Sequence, residues 1–111
     1  MLTNNIPLAS GYSGHSDYLN AYWKSSNGVV TVVGAISSST GHVYGAIMAT
    51  LPLGFRPQVR TELPSMLFTQ GLAGSYVFGV VRIGADGHIS AAGEVPASRD
   101  TVYFTFTFVA S

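Results

Sequence analysis

The chain has 111 residues, no cysteine and a formal net charge of zero, and only 9% of its residues are charged. This length suits a single domain, and the lack of cysteine excludes disulfides and thiolate metal sites. The weak, balanced charge argues against nucleic acid or an anionic membrane as a partner, while the 47% hydrophobic content favours some apolar surface covered by another subunit.

Strand patterns recur along the chain, and no stretch has the i, i+3, i+4, i+7 spacing of an amphipathic helix. Residues 1–14, rich in Asn, Ser and Gly, are expected to form an irregular lead-in. The apolar run from 29 to 36 is far too short to cross a bilayer, which argues against membrane insertion. In chain order, the predicted strands are residues 18–24, 29–37, 42–51, 59–61, 65–70, 75–83, 88–92 and 101–109.

Turns rich in glycine and proline separate these strands. Asn27-Gly28 and Asp86-Gly87 are favoured hairpin turns. Pro52 and Pro57 fix φ and lack an amide donor, so neither is expected inside a paired central strand. Pro64 is expected to break the strand pattern between residues 59–61 and 65–70.

The last predicted strand has the clearest alternation. Its apolar residues from Val102 to Phe108 alternate with Tyr103, Thr105 and Thr107, so the phenylalanines share one face. Burying one such ring contributes about 1.5 to 3 kcal/mol, which predicts a core face. The opposite face is open to water, a ligand or another subunit. About seven to eight short strands in this arrangement predict an all-β fold, an antiparallel jelly-roll-like barrel or sandwich.

Catalytic and metal-binding patterns are weak. Only five Asp and Glu are available for a glycosidase-type acid pair, and Asp86 and Asp100 lie in turn contexts where Asp caps its own backbone. The segment 11–15 misses the G-x-S-x-G nucleophile pattern at its last position. No pair of histidines has zinc-type spacing, and no phosphate-binding loop is present. The sequence therefore predicts no catalytic residue, no metal and no cofactor.

Several side chains are suited to a saccharide, which binds by stacking on aromatic rings and by hydrogen bonding to polar groups. Each also has a purely structural reading: strand packing for the tryptophan, surface hydrogen bonding for the histidines, and for the Arg-Asp pair a mutual ion pair of about 0 to 1 kcal/mol. The candidate saccharide-binding residues are Trp23, His42, His88, Arg99 and Asp100.

Four segments carry a resemblance to a known family. They read YWK at 22–24, GVVTVVG at 28–34, TLPLGFRP at 50–57 and VRIGADGHI at 81–89. Together they resemble the C-terminal head domain of tailed-phage receptor-binding proteins and tail-fibre tips, best known from siphophages of lactic acid bacteria, including lactococcal types. The resemblance covers residues 18–109, and its L-P-x-G-F-R-P segment is its most specific part.

The resemblance implies a homotrimer of small β-barrel heads at the virion tail tip, outside the cell, joined to the rest of the tail fibre or baseplate. It implies binding of host cell-wall or surface saccharide for host recognition and adsorption, without enzymatic activity. Residues 1–111 are then one head domain, with 1–14 as the remnant of a neck. The matched segments imply scaffold roles: Phe55 plugs the barrel, and Arg56 pairs locally or with a carbonyl. None of them implies a saccharide site.

The sequence is also compatible with two other functions. The first is a structural module that trimerises or caps a tail fibre or baseplate protein without a ligand. In that case the threonine and tyrosine face of the last strand is a subunit interface. The second, ranked lower, is a glycan-degrading tail enzyme such as a depolymerase or esterase.

Overall fold

The computed structural model describes residues 3–16, 18–38, 42, 45–68, 76–92 and 101–110. These residues form an all-β fold of nine antiparallel strands and contain no helix, which confirms the predicted fold class. None of them belongs to a helix long and apolar enough to cross a membrane. The strands are β1 (Asn4–Asn5), β2 (Tyr12–Gly14), β3 (Ala21–Lys24), β4 (Val29–Ser38), β5 (Ile47–Thr50), β6 (Thr61–Phe68), β7 (Tyr76–Ile83), β8 (His88–Ala92) and β9 (Thr101–Val109).

The strands follow the order β1-β3-β4-β9-β6-β7-β8-β5, and β2 pairs with the far end of β4. Residues 4–9 connect the strands at the two ends of this order, β3 and β5. Asn4 and Asn5 pair with β3 at one end, while Leu8 forms a bridge with Ala49 of β5 at the other. The amide of Ala9 also donates to the carbonyl oxygen of Met48 at 2.8 Å. The described strands therefore close into a barrel.

This closure differs from the irregular lead-in expected for residues 1–14. Short edge strands bond through their backbones, so polar residues such as Asn4 and Asn5 can pair without any hydrophobic alternation. Asn4 adds a side-chain hydrogen bond from its Nδ2 to the carbonyl oxygen of Tyr22 at 3.3 Å. The segment is thus part of the barrel wall.

The core lies between the two halves of the barrel and is built by alternation. In β4 and β9, every second side chain points inward, and the paired residues Val32 and Phe106 are both fully buried. Thr105 and Thr107 point outward and are exposed, as the alternation in the last strand predicts. The other half of the barrel contributes fully buried apolar side chains, including Leu51, Val81, Ile83 and Ile89.

Two strand predictions were wrong in detail. Residues 59–61 and 65–70 are not separate strands, because β6 runs through Pro64 without a break. At that position β6 pairs with β7, and its pairing with β9 is confined to Met66–Phe68. Pro64 therefore has no neighbouring strand on one side, and a proline is tolerated at such an edge. The strand predicted over 42–51 covers only Ile47–Thr50 and follows a turn at Gly45, whose φ is 76°.

Two segments rich in proline or glycine, residues 50–57 and 81–89, meet at one corner of the barrel. The amide of Leu51 donates to the carbonyl oxygen of Gly87 at 2.9 Å, and the Nε of Arg56 donates to the carbonyl oxygen of Leu51 at 2.8 Å. Phe55 packs edge-on against Tyr22 at 5.0 Å between ring centroids and is partly buried against the core. The corner fixes the β7–β8 hairpin, and with it the position of His88.

Candidate functional site

An open cleft of about 310 Å³ lies on the outer face of the barrel half formed by β6, β7, β8 and β5. Strand register explains its composition. Arg82 pairs with Glu62 on one side and Ser90 on the other, and Ser90 pairs with Ile47, so the four side chains form one outward row. The side chains that line the cleft are those of Ile47, Arg60, Arg82, Asp86, His88 and Ser90.

Two glycines line the cleft beside these side chains. Gly84 donates its amide to the carbonyl oxygen of His88 at 3.0 Å, and Gly45 donates to the carbonyl oxygen of Ala91 at 2.9 Å. Because neither residue has a side chain, both leave room above the sheet. The depression is therefore fixed by the backbone and by ladder hydrogen bonds.

One ion pair and one imidazole–carboxylate contact orient the polar groups of the cleft. The Nε of Arg82 lies 3.0 Å from an oxygen of Glu62, and the side chains are 28% and 39% exposed. The Nδ1 of His88 lies 3.1 Å from an oxygen of Asp86, whose second oxygen accepts the His88 amide at 3.1 Å. Exposed pairs of this kind add only about 0 to 1 kcal/mol to stability. Their main effect is to hold side chains in place.

The cleft contains an additional cation. Arg60 is exposed and makes no hydrogen bond or ion pair with the described residues. Guanidinium donors, an imidazole, the hydroxyl of Ser90 and the apolar side chain of Ile47 together suit a ligand rich in hydroxyl groups. The two carboxylates, Glu62 and Asp86, are each engaged by a neighbouring side chain. Among the described residues, no group of three His, Asp or Glu side chains is placed to hold a metal ion.

The outer face of the opposite barrel half has a different character. We call it the neutral face and define it by three outward rows across β3, β4 and β9. The rows are Trp23-Thr31-Thr107, Ala21-Val33-Thr105 and Ala35-Tyr103. These rows contain no charged side chain, and Thr105 and Thr107 are exposed while Trp23 is half-buried.

Aromatic rings stand at one end of the neutral face. Tyr18 is 51% exposed and packs edge-on against Tyr103, with 5.0 Å between ring centroids. The His15 ring also packs edge-on against Tyr18, with 5.1 Å between ring centroids. The side-chain amide of Asn20 donates to the carbonyl oxygens of His15 at 3.3 Å and Tyr18 at 3.2 Å. The exposed ring is therefore held by both aromatic and backbone contacts.

The structure separates the predicted site residues. His88 lines the cleft, whereas Trp23 lies on the neutral face. His42 is only 7% exposed, its Nε2–H donates to the carbonyl oxygen of Ile36 at 3.0 Å, and its ring lies against Tyr12. Arg99 and Asp100 fall outside the described residues.

Arg60, Arg82 and Ser90 line the cleft but are not among the site residues predicted from the sequence. A signal for two of them was present in the predicted hairpin. The apolar residues Ile83 and Ile89 flank the turn, and the structure pairs them with each other and pairs Arg82 with Ser90. Because Ile83 and Ile89 are core residues, Arg82 and Ser90 must face outward together. Arg60 precedes β6, so strand register alone does not place it.

A scan of the sequence against protein-family profiles finds no match, and a search of curated proteins finds none either. Among solved structures, the chain is similar to the head domain of phage bIL170, which was described in connection with a common fold of the receptor-binding domains of lactococcal phages. The superposition has a TM-score of 0.74 and covers 99% of this chain and 98% of that chain, with 16% sequence identity. The likeness shows that the two chains share a fold over essentially their whole lengths.

Proposed function

We propose that this chain is the receptor-binding head of a tailed phage, which recognises the host and mediates adsorption. The observation that carries the proposal is the fold likeness to the bIL170 head domain over both complete chains. The four sequence segments that resemble phage heads support the same role. The barrel corner formed by Leu51, Arg56 and Gly87 gives two of those segments a shared structural purpose.

The ligand is a host cell-wall or surface saccharide, and the cleft is its binding site. Arg60, Arg82 and His88 offer donors to sugar hydroxyls, Ser90 offers a hydroxyl, and Ile47 offers an apolar contact. The Glu62–Arg82 and Asp86–His88 pairs orient two of these groups before binding, which lowers the ordering cost. A shallow, open cleft suits weak binding at a single site.

Weak single sites are effective when several act together. We infer a homotrimer at the virion tail tip, attached to the rest of the tail fibre or baseplate, with residues 1–111 as one head domain. The zero net charge lowers repulsion between copies. Three sites on each trimer and many trimers on each virion raise the effective affinity by about 10² to 10⁴.

The role we propose is adhesion without catalysis. Among the residues that the structure describes, Glu62 and Asp86 are the carboxylates near the cleft, and each is engaged by a cationic or imidazole partner. This arrangement does not provide a general acid beside a free carboxylate, which glycoside hydrolysis requires. Incubation with cell-wall polysaccharide is therefore expected to release no new reducing ends.

Binding of the purified chain to a panel of lactic acid bacterial strains and their cell-wall polysaccharides tests the proposal. Arg82→Gln removes a guanidinium from the cleft, whereas Glu62→Gln removes only the partner that orients it. We expect the Arg82 variant to bind about tenfold more weakly and the Glu62 variant to lose about two- to threefold, because its guanidinium remains but is no longer held in place. Full binding by the Arg82 variant would exclude the cleft, and no binding to any strain by a confirmed trimer would oppose the function.

A structural module that trimerises or caps a fibre is the second candidate. The uncharged outer face of β3, β4 and β9 favours it, because an interface core is depleted in charged residues. This alternative predicts a trimer that adsorbs to no strain. It also predicts that cleft variants leave every binding measurement unchanged.

A further inference from the structure

The neutral face carries a second binding surface. We propose that it binds an uncharged run of glycan, which crosses β3, β4 and β9 between Trp23 and Tyr18. The inference rests on the proposed receptor-binding function and names a substrate class for it. It adds a contact on the side of the barrel opposite the cleft.

Strand register sets the length of this surface. Trp23 lies in one row with Thr31 and Thr107, while Tyr103, which supports Tyr18, lies four residues before Thr107 on β9. Four residues of a strand span about 13 Å, and the two strand spacings from β9 to β3 add about 10 Å across the sheet, so Trp23 and Tyr103 are about 16 Å apart along the diagonal. A short run of pyranose rings covers that distance, so one chain can contact aromatic rings at both ends of the face.

The chemistry of the face selects an uncharged ligand. Its three rows contain hydroxyl, aliphatic and aromatic groups and no charged side chain, so an acidic or basic sugar finds no counter-charge there. Between the aromatic ends, the exposed hydroxyls of Thr105 and Thr107 can each donate and accept hydrogen bonds. An aromatic ring offers an apolar surface for the apolar face of a sugar ring.

The surface is formed before any ligand arrives. Trp23, Thr31, Thr105 and Thr107 all stand on paired strands of the barrel. Tyr18 lies outside a strand, but its ring packs against those of His15 and Tyr103, and the Asn20 side chain donates to the backbone carbonyls of His15 and Tyr18. Because little ordering is needed, even a few contacts can give measurable affinity.

A second copy of the chain is the rival occupant. The exposed positions between the aromatic ends argue against it, because Thr105 and Thr107 place hydroxyls where a permanent interface has apolar groups. Hydroxyls flanked by rings match the alternating polar edges and apolar faces of a glycan chain. Tryptophan fluorescence and light scattering separate the two occupants.

Trp23 is the only tryptophan of the chain, so its fluorescence reports directly on the neutral face. The probes are uncharged hexasaccharides of glucose, galactose and rhamnose, with hexagalacturonate as the acidic counterpart. We expect a saturable change with at least one uncharged probe, at a dissociation constant on the order of 1 mM, and none with the acidic probe. Arg82→Gln, in the cleft, is expected to leave this change unaltered.

Variants of the face complete the test. Tyr18→Ala is expected to weaken probe binding and cell adsorption by about three- to tenfold, whereas Leu19→Ala, at a neighbouring residue that is 55% exposed, is expected to have no effect. Thr107→Glu is expected to weaken both while leaving the oligomeric mass unchanged in light scattering. A fall in that mass would assign the face to a second copy and overturn the inference.

The outcomes also separate this inference from the proposed function. Heads that adsorb to cells, lose adsorption with Arg82→Gln and keep it with Tyr18→Ala and Thr107→Glu would overturn the second surface and leave receptor binding in place. Heads that bind neither cells nor any probe would oppose both.

Discussion

The ring of Phe104 covers the backbone of Gly34, its direct partner across β4 and β9. A Cβ atom at residue 34 would lie 2.5 Å from the Cζ of Phe104, closer than real side chains approach. Phe104 is 6% exposed and also packs against Phe106, with 5.8 Å between ring centroids. The glycine therefore provides the space into which the phenylalanine row of β9 packs.

Substitution of Gly34 tests this fit. Gly34→Ala is expected to lower the free energy of unfolding by about 1 to 3 kcal/mol, because the ring must leave its place in a packed core. Urea unfolding measures the change. Phe104→Leu combined with Gly34→Ala is expected to cost less than the sum of the two single substitutions. Strict additivity would show that the two residues do not share this space.

The β7–β8 hairpin gives a second prediction. Gly87 has a φ of 87°, and a Cβ there would lie 2.5 Å from the carbonyl oxygen of Leu51. Gly11 has a similar φ of 90° but nothing within 4 Å of such a Cβ. Gly11→Ala is expected to cost about 1 to 2 kcal/mol from backbone strain alone, and Gly87→Ala clearly more. Equal losses in thermal or urea unfolding would refute the close approach.

The buried face of β9 gives a third prediction. Phe106 is fully buried, and Phe106→Ala is expected to lower the free energy of unfolding by about 3 to 5 kcal/mol through lost burial and a new cavity. Thr107 is exposed, and Thr107→Ala is expected to stay within about 0.5 kcal/mol of the parent chain. Chemical denaturation of both variants provides the comparison. Similar losses would show that the alternation of the strand is reversed.

Asn20 gives a fourth prediction. Its Oδ1 accepts the amide of Ala35 at 2.8 Å, while its Nδ2 donates to the carbonyl oxygens of His15 and Tyr18. Asn20→Ala loses both roles and is expected to cost about 1 to 3 kcal/mol. Asn20→Asp keeps the acceptor for the Ala35 amide but sets a carboxylate oxygen against the carbonyl oxygens of His15 and Tyr18, so it is expected to be destabilising as well. Hydrogen exchange at the Ala35 amide is the second readout. Faster exchange in the Ala variant alone is the expected result.

Where the sequence analysis predicted strands well, side-chain alternation carried the signal. The bounds of β8 and β9 were predicted as they are found, because Ile89 and the residues from Val102 to Phe106 alternate with polar neighbours between clear turns. The strand predicted from residue 18 begins only at Ala21. The side chain of Asn20 takes the Ala35 amide there, in place of strand pairing, and no periodic pattern predicts such a bond.

The candidate cleft was harder to predict because its lining depends on strand register and on glycines that leave room above the sheet. His88 was identified as a hydrogen-bonding residue, but its cleft exists only because Gly84 and Gly45 come together with Arg60 and Arg82 from other strands and loops. Trp23 was identified as a stacking residue, and its row with Thr31 and Thr107 appears only when three strands are aligned. Residues far apart in sequence make both surfaces, so local spacing cannot reveal them.

The segment from Asn4 to Ala9 has a consequence for handling the protein. Asn4 and Asn5 pair with the outer edge of β3, and Leu8 and Ala9 bond to the outer edge of β5. The backbone groups at both edges therefore have hydrogen-bond partners. A chain shortened by those residues would present two uncovered strand edges, and such edges recruit further strands. Trimming this end is therefore expected to promote precipitation or fibre formation, both by uncovering these edges and by removing the core side chain of Ile6.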